Sequence, residues 1–201
     1  MRTVCIVTAT RAEYGLLRPV IQRVAAADAL ALQLVVTGAH LCPRLGETVR
    51  EIEKDGLPIA ARLPIFRDDA DEPVAKTIAR TMEIFDDYFA AHRPDAVLLL
   101  GDRFEIFAVA AAAAARHIPI AHISGGDVTL GAADEYYRHC ISKMAAVHFP
   151  SCADSAARHV RMGEAPGTVF CVGGLGDENI RTMPKMTRRE LCDSTGFPLM
   201  Q

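Results

Sequence analysis

Four stretches of this chain gather residues able to handle protons and anions at points where an apolar run gives way to a helical segment. The richest is Ala121-His122-Ile123-Ser124-Gly125-Gly126-Asp127, followed by Thr129, Gly131, Asp134, Glu135, Arg138 and His139. Carboxylates placed like Asp127 and Asp134 serve as general acid or base when burial and neighbouring charge bring their pKa towards neutrality. On the following helix Asp134 and Arg138, and likewise Glu135 and His139, stand four apart and share faces, a spacing that equally describes surface ion pairs worth roughly tenths of a kcal/mol. Their position after a glycine loop, rather than their spacing, gives them a functional reading.

The other three stretches are shorter. Gly101-Asp102-Arg103 follows Val97 to Leu100, and the helix dipole together with Arg103 should keep Asp102 ionised; the alternative is a helix cap beside a surface arginine. Thr8 to Gly15 leaves the first apolar run for a helix and sets Arg11 beside free backbone N–H groups, the makings of a diphosphate cradle. Lacking the glycine fingerprint of dinucleotide sites, it reads equally as an ordinary turn with Arg11 solvated. In Thr37-Gly38-Ala39-His40-Leu41, His40 either donates to a sugar hydroxyl or phosphate, or is a packed or capping histidine. No two histidines or cysteines near these loops have zinc-ligand spacing, so no metal site is expected.

The elements that must position these loops alternate. Strand-length apolar runs occur at Thr3 to Val7, Leu30 to Val36, Ala96 to Leu100, Ile118 to Ile123, Val147 to Phe149 and Val169 to Val172, with Ala60 to Leu63 weaker. Ile78, Met82, Phe85 and Phe89 mark a helix face that ends at His92-Arg93-Pro94, and Ala108 to Ala115 is a strong helix former. Alternation of this kind implies an α/β fold, a doubly wound Rossmann-like parallel sheet covered on both faces. In such a sheet ligands bind beyond the carboxyl ends of the strands, where all four loops fall. Residues 1–182 read as one domain, and 183–201 as a tail or the start of a connection, with one short helical piece at Thr187 to Ser194.

Composition narrows the function. A formal charge of −3 and few, scattered aromatics give no nucleic-acid footprint. No apolar stretch approaches the roughly 20 residues of a membrane span, and Val4 to Ala9 lacks a signal-peptide pattern, so no membrane partner and a cytoplasmic location are expected. Six cysteines without a C-x-x-C pair read as reduced thiols.

Taken together, Arg11 to Leu17, Thr37 to Leu41, Gly101 to Glu105, His122 to Met144 and the closing Val172 to Ile180 resemble the hydrolysing UDP-N-acetylglucosamine 2-epimerases in order and spacing. The resemblance implies the first half of a glycosyltransferase-B-type fold, with the sugar nucleotide held between two Rossmann-like halves. It implies an activity too: elimination of UDP to a glycal, then hydration to N-acetylmannosamine, with no nicotinamide or metal cofactor. A variant within the family would take a UDP-diacetamido-trideoxy sugar; a non-catalytic sugar-nucleotide-binding module is the reading from another class. The partners implied are a UDP-sugar, a second domain or partner chain, and a second copy in a homodimer.

By motif position the resemblance makes Arg11 and Arg103 diphosphate contacts, with Gly15 at a nearby loop position. It places Asp102 and Asp134 among the acidic residues of the chemistry. Where some relatives carry a glutamate, this chain has Ser124, which leaves Asp127 as the carboxylate to replace it. The expected site is therefore Asp102, Asp127 and Asp134 for chemistry, and Arg11, Gly15, His40, Arg103 and Ser124 for substrate.

Overall fold

The computed structural model describes residues 1–67, 72–182 and 184–197. Six strands form one parallel sheet: β1 (Arg2–Thr8), β2 (Leu30–Thr37), β3 (Ile59–Leu63), β4 (Ala96–Leu100), β5 (Ile120–Ile123) and β6 (Val147–Phe149), in the order β3-β2-β1-β4-β5-β6. The chain winds outward from β1 to β3, then returns to lay β4 against the other side of β1. The switch point lies between β1 and β4, where the loops diverge and open a crevice at the carboxyl edge.

Alternate strand residues feed two cores. Cys5, Val7, Val35, Val97 and Leu99 pack against α3 (Val74–Ala91), α4 (Phe104–Ala115) and α5 (Asp134–Met144) through Phe85, Phe89, Val109 and Ile141. Ile6, Leu34, Val36, Leu98 and Leu100 point the other way, onto α1 (Arg11–Ala25) and α2 (Val49–Lys54) through Leu17, Ile21 and Ile52. A period of two on a sheet covered on both faces makes the strand interiors continuously apolar, as the runs required. The alanines of α4 let it lie close to the sheet: Ala108, Ala110 and Ala113 are fully buried.

Two strand expectations are corrected. Ile118 belongs to the turn after α4, where its N–H donates to the Ala113 carbonyl, and β5 starts at Ile120 because Pro119 has no N–H to give a ladder. Val169 to Val172 is no strand: beside the three-residue β6 it makes one isolated bridge, Val169 to His148, and Phe170 and Val172 are exposed. Without cover on that face, apolar character alone does not make a strand.

After β6 the chain forms α6 (Ala153–Arg161), then α7 (Leu175–Thr182), which leans on α1, where Asn179 donates to the Gly15 carbonyl at 2.7 Å. The last helix, α8 (Arg188–Thr195), carries a capping box between Thr187 and Glu190 and buries none of its residues. No cysteine is disulfide-bonded among the described residues, and no helix there is long and apolar enough to cross a membrane.

Candidate active site

At the switch point a cleft of about 300 Å³ is lined by Thr10, Glu13 and Leu16 on one wall, and by Asp102, Arg103, Ser124, Asp127 and Arg138 on the other. The first wall is built locally. Thr10 is extended and caps α1, its hydroxyl accepting the Glu13 N–H at 3.3 Å. Glu13 turns back so that Oε2 accepts the Ala9 N–H at 2.7 Å, and it is buried.

The second wall depends on residues far apart in the chain. Asp102 pairs with Arg138 of α5, whose other nitrogen donates to the Asp127 carbonyl at 3.0 Å; Arg138 also reaches Thr129 and Glu135. Arg138 is almost fully buried, so its charge needs the carboxylate and carbonyls that surround it. The expectation that Arg103 would be the cation beside Asp102 is corrected. Arg103 instead forks onto Glu105 at 3.2 and 2.8 Å, because Glu105 is wholly buried beneath it. Asp102 does not cap α4 either; that place falls to Arg103, whose side chain makes no capping bond.

Asp127 is fixed from below. The hydroxyl of Ser155, at the start of α6, donates to its Oδ1 at 2.5 Å, with Ser151 at 3.3 Å. The glycines before it have no room for a side chain. A Cβ on Gly125 would lie 2.7 Å from both His122 Nδ1 and Ser142 Oγ, and one on Gly126, at φ +80°, 2.6 Å from His159 Nδ1. Ser124 itself has φ +59°, sparsely populated for a residue with a side chain, and its N–H donates to the Phe149 carbonyl.

His122 ties the wall together. Its Nε2 lies 2.7 Å from the Gly101 carbonyl and its Nδ1 3.1 Å from Ser142 Oγ. A carbonyl can only accept, so Nε2 carries the proton and Nδ1 accepts from the serine. Burial pushes the ring's pKa down to about 4, partly offset by the Gly101 carbonyl. The ring is therefore neutral near pH 7, and it clamps the turn that carries Asp102.

With this geometry in view, the comparisons decide the relationship. A family model described as UDP-N-acetylglucosamine 2-epimerase matches residues 22–196. The chain belongs to that family. It is 39% identical over 191 residues to a GDP/UDP-N,N'-diacetylbacillosamine 2-epimerase (hydrolyzing) of Campylobacter jejuni, covering 94% of this chain and 50% of that protein. It is also 39% identical over 198 residues to a UDP-N,N'-diacetylbacillosamine 2-epimerase (hydrolyzing) of Legionella pneumophila, covering 98% and 52%. The chain thus spans about half the length of the curated relatives it matches. Its fold superposes on the UDP-GlcNAc 2-epimerase of Neisseria meningitidis, solved with UDP-GlcNAc, at a TM-score of 0.80 and 21% identity, covering 99% of this chain and 54% of that one.

Within this member of the family, Asp102, Asp127, Arg103 and Ser124 meet in one cleft. Arg11 and Gly15 do not line it. They border a neighbouring groove with Arg18 and Asp55, where Arg11 is largely exposed and pairs with Glu51 at 3.0 Å. Asp134 is exposed on the first turn of α5, acting on Arg103 through charge alone. His40 is fully buried, with Nε2 3.0 Å from Thr8 Oγ1 and Nδ1 2.8 Å from Thr48 Oγ1. The packed alternative describes it, and burial lowers its pKa to about 4.

Glu13, Arg138 and the clamp His122 are the residues that sequence reading left off the site. Arg138 had a signal, an arginine one turn into the helix after a glycine loop. Glu13 had little, since a glutamate in a first helical turn usually serves the dipole. Among the described residues no group of three or more His, Cys, Asp or Glu is placed to hold a metal ion.

Proposed function

We propose that this cleft is one half of the active site of a hydrolysing 2-epimerase for a UDP-linked 2-acetamido sugar. The observation that carries the reading is the convergence of two carboxylates, Asp102 and Asp127, with the guanidinium of Arg103 in one cleft at the switch point. Asp127, positioned by two serine hydroxyls, is the carboxylate we assign as base, while Asp102 is engaged by Arg138.

In the reaction a carboxylate takes the C2 proton, the C1–O bond breaks, and UDP leaves with the electron pair while a C1–C2 double bond forms. Water then adds its oxygen at C1, and C2 receives a proton on the opposite face, giving the inverted N-acetylmannosamine-type product. The sequence is redox-neutral and calls for no nicotinamide. Arg103 would receive the diphosphate, and Ser124 the sugar. Residues 1–182 form the catalytic half. The segment 183–201 begins the connection to a second domain, or faces a partner chain, that brings exposed Asp134 and Arg11 against the substrate. We place the enzyme in the cytoplasm as a homodimer, which size-exclusion chromatography tests.

The names of the two relatives at 39% identity favour a specific second reading, a UDP-diacetamido-trideoxy sugar as substrate. Proton NMR of the chain in deuterated water with each UDP-sugar tests both. With the second domain or partner chain supplied, free UDP and deuterium at C2 of the released sugar are expected, with the preferred sugar reacting faster and Asp127→Asn slowing release. Binding without exchange by this chain alone would point to the second domain, and binding without exchange even with that domain supplied would replace the enzyme with a sugar-nucleotide-binding module. Unchanged UDP release in Asp127→Asn would remove Asp127 from the chemistry, and a gain in Ser124→Glu would show which position the base prefers.

A further inference from the structure

Glu13 stands in the cleft wall with half of its carboxyl group unaccounted for. Oε2 is taken by the Ala9 N–H, but Oε1 is buried without a hydrogen-bond partner and lies 4.0 Å from Arg103 Nε. The whole residue is 7% exposed. Arg103 is already forked onto Glu105, which is 0% exposed. Two buried carboxyls therefore face one guanidinium. The other charges nearby do not relieve them: Asp102 and Arg138 across the cleft pair with each other, and Asp134 acts on Arg103 from the exposed start of α5. From the turn that opens its own helix, Glu13 meets the Ala9 amide, the Thr10 backbone and the capping hydroxyl of Thr10.

We propose that Glu13 is a proton-carrying residue of the anion site, taking up one proton from solvent when a sugar diphosphate settles on Arg103 and returning it when the diphosphate leaves. The inference rests on the reading of the cleft as a sugar-nucleotide site. A diphosphate brings negative charge to the guanidinium that Glu13 shares, and a like charge in a desolvated wall disfavours the ionised carboxyl. Protonation turns Oε1 from an acceptor without a donor into a donor, able to reach Arg103's anion. Burial, with Glu105 adding to it against the pull of the Ala9 amide and Arg103, already holds Glu13 at about 7, so the proton is taken up near neutral pH. Linkage then requires that affinity fall as pH rises above the pKa of the unliganded carboxyl.

The test is calorimetric titration of the 201-residue chain with UDP-N-acetylglucosamine, whose diester-linked phosphates do not titrate near neutrality. Runs in two buffers of different ionisation heat, at about pH 6.5 and about pH 8.5, should show uptake of up to one proton and affinity about tenfold weaker at the higher pH. In Glu13→Gln, which keeps an acceptor for Ala9 and supplies a donor, both the buffer dependence and the pH dependence should vanish while binding persists. A merely structural Glu13 would change stability and leave the proton count alone. Carboxyl-carbon NMR of Glu13 in the unaltered chain gives the same answer without a variant, as an upward shift of its titration on adding ligand. Binding with no proton uptake, or uptake that survives in Glu13→Gln, overturns the proposal while leaving the cleft's function intact. No binding at either pH removes the function reading, and this inference with it.

Discussion

On the β1 side of the cleft the shaping contacts join residues three and four apart, Thr10 with Glu13 and Glu13 with Ala9. On the β4 and β5 side they span 21, 28, 32 and 36 residues, in His122 with Gly101, Asp127 with Ser155, Gly126 with Arg158, and Asp102 with Arg138. The near wall can form with its own helix. The far wall exists only once β4, β5, α5 and α6 are assembled, so its parts should fail together where those of the near wall fail singly. Both walls rest on a buried, neutral histidine, His40 under one and His122 under the other.

Arg138→Met breaks the comparison hardest. It strands Asp102 and the Asp127 carbonyl, and urea unfolding should show a loss of about 3–5 kcal/mol, the usual cost of removing one partner of a buried ion pair. A loss below about 1 kcal/mol would mean that the far wall is not cooperative.

Acid should act on both walls. A histidine whose folded pKa lies at about 4, below its unfolded value of about 6.5, contributes stability present above the unfolded value and lost as pH falls towards the folded one. His40 and His122 should each cost on the order of 3 kcal/mol between about pH 6.5 and pH 4, read from urea midpoints across that range. Ring NMR showing His122 titrating at its ordinary value would contradict the clamp.

Two glycines sharpen the contrast. Gly126→Ala, forced into φ +80° with its Cβ against His159 and Ser155, should cost about 2 kcal/mol or more. Gly15→Ala, inside α1 with open space around it, should gain roughly 0.5–1 kcal/mol in thermal or urea unfolding. The smallest effect is expected from Arg11→Ala. Its exposed pair with Glu51 is worth less than about 1 kcal/mol, so stability should barely move, and any larger change would be in affinity for UDP-N-acetylglucosamine.

Fold and site were unequally legible in the sequence. Continuous apolar runs and the Ile78 to Phe89 face give the strands and helices because burial on both sheet faces leaves a one-dimensional trace. Val169 to Val172 has the same trace without the cover, and so forms no strand. The loops at the strand ends announce Asp102, Asp127, Arg103 and Ser124 as cleft residues for the same topological reason.

What the sequence determined by itself is the alternation and the carboxyl-edge position of the polar loops, because burial on both sheet faces leaves its pattern along the chain. Only the tertiary structure decided the rest. It gave Asp102 to Arg138 rather than Arg103, drew Glu105 and Glu13 beneath Arg103, sealed His40 in the core and left Asp134 and Arg11 outside the cleft. Charge pairing within a fold is settled by which side chains lose water together, and that depends on distances across the sheet that no spacing along the chain records.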